Sequence, residues 1–368
     1  MQVIVLGMHR SGTSTVTRLI NMMGAHVGHE EELIGSNHEN PKGFWERRDV
    51  IETNDALLAD AGCNWYTLGK WMHNNCEDPA RFATLELQEK CQNVVNQLNL
   101  YHHWVMKDPR LCHTLPFWLP LLKNPVLIIV YRYPLEIAQS LKKRNDFLFQ
   151  HSLAIQEYAT VGMLNAARKL PHFFVRYGEL MEDPIYVTRR IYDFLFMRGG
   201  ALLELPKDDD VVSFVEPSLY RSKTDVKLND VMTPYQIAIN RYLATSAVPE
   251  APLEVSFGAR ELIDIRVETE RLQENLESTS EVLSRAMETV NLQEARIMEL
   301  ITQVEKLTHR QQHLQRTYEM QLRVNRELQD MNHELGKAAA ELEMIKQTRV
   351  WKLRSMLVGK HAAEPAEQ

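Results

Sequence analysis

Short continuous apolar runs punctuate the first 250 residues. Val3-Ile4-Val5-Leu6 ends at Gly7 and gives way to a helical pattern after Thr13. Trp104-Val105-Met106, Val126 to Tyr131, and Phe173-Phe174-Val175 are runs of the same kind. The third is followed by a helical stretch from Pro134 to Arg144, the fourth by one from about Pro184. Runs that are apolar throughout, rather than alternating, mark strands buried on both faces. Strands that alternate with helices predict an α/β fold: a parallel sheet flanked by crossover helices.

The pattern then changes. From Ala259 to Leu335 there is neither proline nor glycine. With Leu262 as position a and Ile265 as position d, a seven-residue repeat runs through twelve heptads, and 17 of its 24 core positions are apolar. An ordinary amphipathic helix drifts off a strict heptad, so the repeat predicts a long C-terminal coiled-coil helix. Gln311, Asn325 and Asn332 fall at a positions, where buried polar groups fix register and strand number. The competing reading is a single surface helix folded back on the globular part. The expected organisation is an α/β domain over residues 1–255, a coiled coil over 259–345 and a basic amphipathic tail over 346–368.

Composition narrows the class. At 44% hydrophobic and 25% charged residues the chain can build a core, and a net charge of −7 disfavours a general nucleic-acid binder. The longest apolar run is far shorter than the roughly 20 residues of a membrane span. No basic segment precedes an apolar stretch at Met1, so no signal peptide is expected. Cys63, Cys76, Cys91 and Cys112 form no CxxC pair, which fits a reducing cytoplasm better than a disulfide or zinc framework.

The candidate chemistry starts where the first strand ends. Gly7-Met8-His9-Arg10-Ser11-Gly12-Thr13-Ser14 joins a strand to a helix. Backbone N–H groups of such a turn converge beside a positive helix end and make an anion site. The spacing is that of the GxxxxGK[ST] phosphate loop, but Thr13 stands where the lysine belongs and Arg10 supplies a cation from within. The segment resembles the 5′-phosphosulfate loop of sulfotransferases that use 3′-phosphoadenosine 5′-phosphosulfate (PAPS). The resemblance implies a P-loop-type α/β fold and makes Gly7, Arg10, Ser11, Gly12, Thr13 and Ser14 donor-binding residues.

That family has a second anion site for the 3′-phosphate, an arginine followed eight residues later by a serine. Arg132 and Ser140 have this spacing, with Pro134 placed to open the helix between them. Lys107-Asp108-Pro109-Arg110 resembles the segment whose lysine sits by the transferring sulfuryl group. Arg176-Tyr177-Gly178-Glu179-Leu180 resembles a nucleotide-contacting stretch and brings in Tyr177. Pro217 to Lys223 resembles the late basic segment that closes over the 3′-phosphate and brings in Arg221. Asn40 to Glu46 resembles the segment holding a catalytic glutamate, so Glu46 is a candidate base, its pKa raised beside Phe44 and Trp45. His9, inside the loop, is the rival base. His26, His29 and His38 are spaced 3 and 9 apart, fit no standard ligand set, and read as surface or pocket-rim histidines, so no metal is expected.

The resemblance therefore implies sulfuryl transfer from PAPS to a hydroxyl, with Lys107, Glu46, Arg10 and His9 as catalytic candidates. Two other classes compete. A P-loop kinase would need a loop cation and a magnesium-holding acid, and Thr13 together with the Arg132/Ser140 pair counts against it. A non-catalytic scaffold on a degenerate nucleotide fold would leave the work to the coiled coil. The tail around Trp351, Lys352 and Arg354 resembles a short motif that follows coiled coils on bacterial enzymes of surface-polysaccharide assembly. Its basic and apolar residues suit an anionic membrane surface. The expected acceptor is thus a cell-surface glycan or lipid-linked saccharide, and the expected location is cytoplasmic, peripheral at the inner membrane face.

Residues 262–342 should associate by themselves as a parallel helical oligomer, a dimer in view of Asn at two a positions. Sedimentation of the isolated segment checks this. A compact or unfolded monomer at micromolar concentration would identify a surface helix instead.

Overall fold

The computed structural model describes residues 1–36, 40, 42–68, 83–216 and 231–288, and later 302–312, 314–322 and 325–326. Four strands, β1 (Gln2–Leu6), β2 (Trp104–Lys107), β3 (Pro125–Tyr131) and β4 (His172–Arg176), form one sheet in the order β2-β1-β3-β4. Every pairing is parallel, with Val5 opposite both Lys107 and Ile128. The strands are the four apolar runs of the sequence.

The described helices are α1 (Thr13–Met22), α2 (Arg48–Asp60), α3 (Leu85–Leu98), α4 (Leu111–Trp118), α5 (Pro134–Asn145), α6 (Phe149–Ala167), α7 (Tyr177–Glu182), α8 (Pro184–Met197), α9 (Asp208–Phe214), α10 (Pro234–Thr245) and α11 (Phe257–Glu288). Side chains of a strand alternate between faces, and the two sheet faces build two cores. Ile4, Leu6, Met106 and Ile129 pack with residues of α2, α3, α4 and α6. Val3, Val5, Ile128 and Val130 pack with residues of α1 and α8. Both faces are covered, which is why the strand sequences do not alternate.

Helix α6 is buried almost all round, and its Gly162 lies where an added Cβ would stand 1.9 Å from the Cys112 carbonyl oxygen of α4. Only a residue without a side chain lets these two backbones approach so closely.

Helix α11 begins in contact with the domain. The Glu157 carboxylate on α6 accepts the Ser256 N–H at 2.7 Å, and the Ser256 hydroxyl accepts the Ala259 N–H at 3.2 Å. Ala259 and Ile263 are buried, and Leu262 and Val267 pack against the same core. Ile263 is a b position and Leu262 an a position of the heptad, so over these turns residues on and beside the a/d stripe pack on the domain. The compact unit accordingly extends to Arg271, past the boundary expected at residue 255. Beyond it, residues 302–312 and 314–322 are helical. Most of the remaining heptads and the whole 346–368 tail lie outside the described residues. Among the described residues no helix is long and apolar enough to cross a membrane.

Candidate active site

The parallel register brings the ends of β1, β2 and β3 side by side. In such sheets ligands bind beyond the carboxyl ends of the strands, where the chain order reverses. The loop after β1 carries Gly7 to Ser14 into this crevice. Arg10 takes a left-handed backbone conformation at φ 71°, and Gly12 does so at φ 93° as the residue before α1. Gly12 gives the helix no side-chain cap, so the positive end of α1 opens on the loop. The Ser11 hydroxyl is buried with no hydrogen-bond partner. An open helix end beside an unsatisfied buried donor fits a bound anion such as the phosphosulfate group.

Two clusters flank the loop. In the first, Lys107 ends β2 with its side chain wholly buried. Its ammonium donates to the Ser14 hydroxyl at 3.1 Å, to the Phe44 carbonyl and to Glu46 Oε1. Glu46 is buried as well, and its Oε2 has no partner. Burial pushes the Glu46 carboxyl above its usual range, and the Lys107 charge opposes this only in part. Burial likewise lowers the Lys107 pKa, with Glu46 opposing.

The second cluster joins the loop to the later motif. Arg132 Nη1 donates to the Arg10 carbonyl at 2.8 Å, and Arg10 Nε donates to the Ser140 hydroxyl at 2.9 Å. Arg10, Arg132 and Ser140 thus form one unit, and the Arg10 side chain lies with the second motif rather than beside Lys107 and Glu46. Arg132 also donates to Glu136 at 3.0 Å, and its guanidinium sits 5.1 Å over the Tyr177 ring. Tyr177 opens α7 and lies across the loop: a Cβ on Gly12 would meet its ring at 2.2 Å.

His9 lies apart from Glu46 in its contacts. Its ring packs 4.2 Å from that of Trp65, and its Nε2 is buried without a partner. Burial, then the charges of Arg110, Arg144 and Lys107, hold its pKa well below the ordinary value, so the ring is neutral at pH 7. Arg221 and His38 lie outside the described residues.

Some contributors were not evident from motif spacing. Asn54 on α2 donates to Asp108 at 2.9 Å and accepts from Thr114 and Trp118, while Arg110 bridges Asp108 and Asp55. This network fixes the segment after Lys107 against α2. Glu136 was signalled only by its place one helical turn after Arg132.

Residues 2–198 match the Sulfotransferase family, and the chain belongs to that family of transferases. Among solved structures, it is similar to the sulfotransferase domain from the curacin biosynthetic pathway, at 15% identity, covering 67% of this chain and 98% of that one, TM-score 0.38. It is also similar to the sulfotransferase domain from the Synechococcus PCC 7002 olefin synthase, at 15% identity, 73% and 94% coverage, TM-score 0.36. A third is sulfotransferase STF9 from Mycobacterium avium, at 17% identity, 67% and 77% coverage, TM-score 0.38. No curated protein matches the chain.

The buried pair generates a stability prediction. Lys107→Met should cost about 3–5 kcal/mol in urea unfolding, because it leaves Glu46 buried without a counter-charge. Adding Glu46→Gln should recover a substantial part of the loss. Strict additivity of the two substitutions would show that the groups do not interact.

Proposed function

We propose that this chain transfers a sulfuryl group from PAPS to a hydroxyl of an acceptor, a cell-surface glycan or lipid-linked saccharide. The observation that carries the reading is the joining of three parts at one crevice: the loop with its open helix end, the Lys107–Glu46–Ser14 cluster, and the Arg10–Arg132–Ser140 unit. In this reading Arg132, Arg10 and Ser140 hold the 3′-phosphate, and Tyr177 orders Arg132. Loop N–H groups and Ser14 hold the phosphosulfate.

The acceptor oxygen attacks sulfur in line. The bond from sulfur to the phosphate oxygen breaks, and adenosine 3′,5′-bisphosphate leaves. Lys107 neutralises charge that grows on the sulfuryl and leaving oxygens, a job for a preorganised cation in a dry site. Glu46 takes the hydroxyl proton, for which a raised pKa and a buried, unpartnered oxygen suit it. The glycan or lipid-linked acceptor rests on the tail resemblance around Trp351, and self-association through the coiled coil would display several sites together.

Calorimetry tests the donor. Adenosine 3′,5′-bisphosphate should bind about tenfold to a hundredfold more tightly than AMP, and Arg132→Lys should erase most of the difference. Equal affinities, or a preference for Mg·ATP, would overturn the reading.

The pH profile tests the base. Protonated Glu46 cannot accept a proton, so kcat/KM should fall as pH drops through a pKa above the ordinary glutamate value. Glu46→Gln should lose turnover by about a hundredfold or more and lack that limb. Full activity in Glu46→Gln would remove Glu46 from the role.

A further inference from the structure

We infer that His26, His29 and Glu32 form a binding site for a divalent transition-metal ion of the zinc class. The site lies on the loop between α1 and α2. One donor atom from each residue lies within 4.8 Å of the other two. Ligand atoms around tetrahedral zinc stand about 3.3–3.6 Å apart, given bonds of about 2.0–2.2 Å. Side-chain movements of about an ångström would close the difference.

The backbone that presents these groups is fixed. His26 extends the sheet beside β2: its N–H donates to the His103 carbonyl at 2.9 Å, and its carbonyl accepts the Val105 N–H at 2.8 Å. His29 precedes a 3₁₀ turn, Glu30–Glu32, and its own N–H donates to Glu32 Oε2 at 2.7 Å. The side chains are held from behind. The Tyr101 ring stacks on His26 at 3.5 Å and 8°, and its hydroxyl lies 3.0 Å from His29 Nε2. That contact leaves the other ring nitrogen of His29 to an ion. Arg47 donates to Glu32 Oε2 at 3.0 Å, which leaves Oε1. Groups that orient ligands through the atom not on the metal are the usual outer shell of such sites.

Electrostatics favours a cation. Arg47 is also bonded twice to Asp49, and Glu30 and Glu31 stand in the same turn as Glu32. Two carboxylates, Glu32 and Asp49, thus hold the one guanidinium, and the turn brings two further acidic side chains beside Glu32. Two imidazoles with one carboxylate select zinc, nickel or copper over magnesium or calcium, which prefer all-oxygen shells. Sequence spacing concealed the site because Glu32, its third member among the described residues, belongs to no histidine spacing.

An ion here would tie His26 at the sheet edge to the strand-like turn that carries the base segment. Leu33 bridges Arg47, and the Ile34 N–H donates to the Glu46 carbonyl at 3.1 Å. The site is therefore a clamp on the loop that ends in Glu46, and its existence does not depend on the donor or acceptor.

The test is calorimetry of the full-length, chelator-treated protein with zinc chloride and with magnesium chloride. One zinc should bind per chain at micromolar concentration with no measurable magnesium binding, and cobalt(II) should give the visible spectrum of a four-coordinate nitrogen–oxygen site. His26→Asn with His29→Asn should abolish the isotherm while circular dichroism stays unchanged. Should that pair fail to fold, Glu32→Gln and Tyr101→Phe serve instead, each weakening zinc by about tenfold or more. Absence of zinc binding at millimolar concentration overturns the assignment. So does an equal affinity in all variants, which would place the ion elsewhere.

Discussion

The buried ammonium of Lys107 organises the site around itself. It ends the edge strand of the sheet at a point set by register with Val5, and its side chain is wholly buried. An isolated ammonium there would cost several kcal/mol, so its three acceptors are a condition of folding as much as of chemistry. Those acceptors come from three places: Ser14 from the start of α1, Phe44 from the following loop by its carbonyl, and Glu46 by its carboxylate. Satisfying one charge therefore pins the phosphate loop, the candidate base and the second strand to one another.

The second cluster complements this by a different device. Arg10 is not glycine, yet its backbone is left-handed, and its carbonyl and side chain face Arg132 and Ser140. A residue held in that conformation needs its surroundings to fix it. Arg132 does so through the carbonyl, and Tyr177 packs on the neighbouring Gly12. The two halves of the site thus share a loop and draw on different strands: Lys107 ends β2, and Arg132 directly follows β3.

The strands were legible because burial on both faces writes an uninterrupted apolar run. The loop and the Arg132/Ser140 pair were legible because their glycines, cations and hydroxyls stand at a fixed local spacing. Other parts were not. Asn54 and Asp55 reach Asp108 and Arg110 across more than fifty residues, and no local pattern announces a tertiary contact. Helix α6 is buried almost all round and carries polar residues such as Gln156 and Glu157 among its buried positions, so no single apolar stripe marks it in the sequence. The start of α11 carries a heptad, but Ile263 shows that a second face there serves the domain. Two overlapping apolar stripes on one helix read in sequence as the more regular of the two.

The backbone pairing of His26 with β2 has a consequence for how the protein avoids its own copies. Strand β2 is only four residues long and lies at one end of the sheet. A bare edge of that kind is a template on which another chain can add a strand. The Val105 N–H, which points away from β1, is already taken by the His26 carbonyl, and the His103 carbonyl by the His26 N–H. The loop that ends in the candidate base thus also covers the start of this edge, all four residues of which are buried, and an unfastened loop would uncover a sticky strand as well as a disordered site.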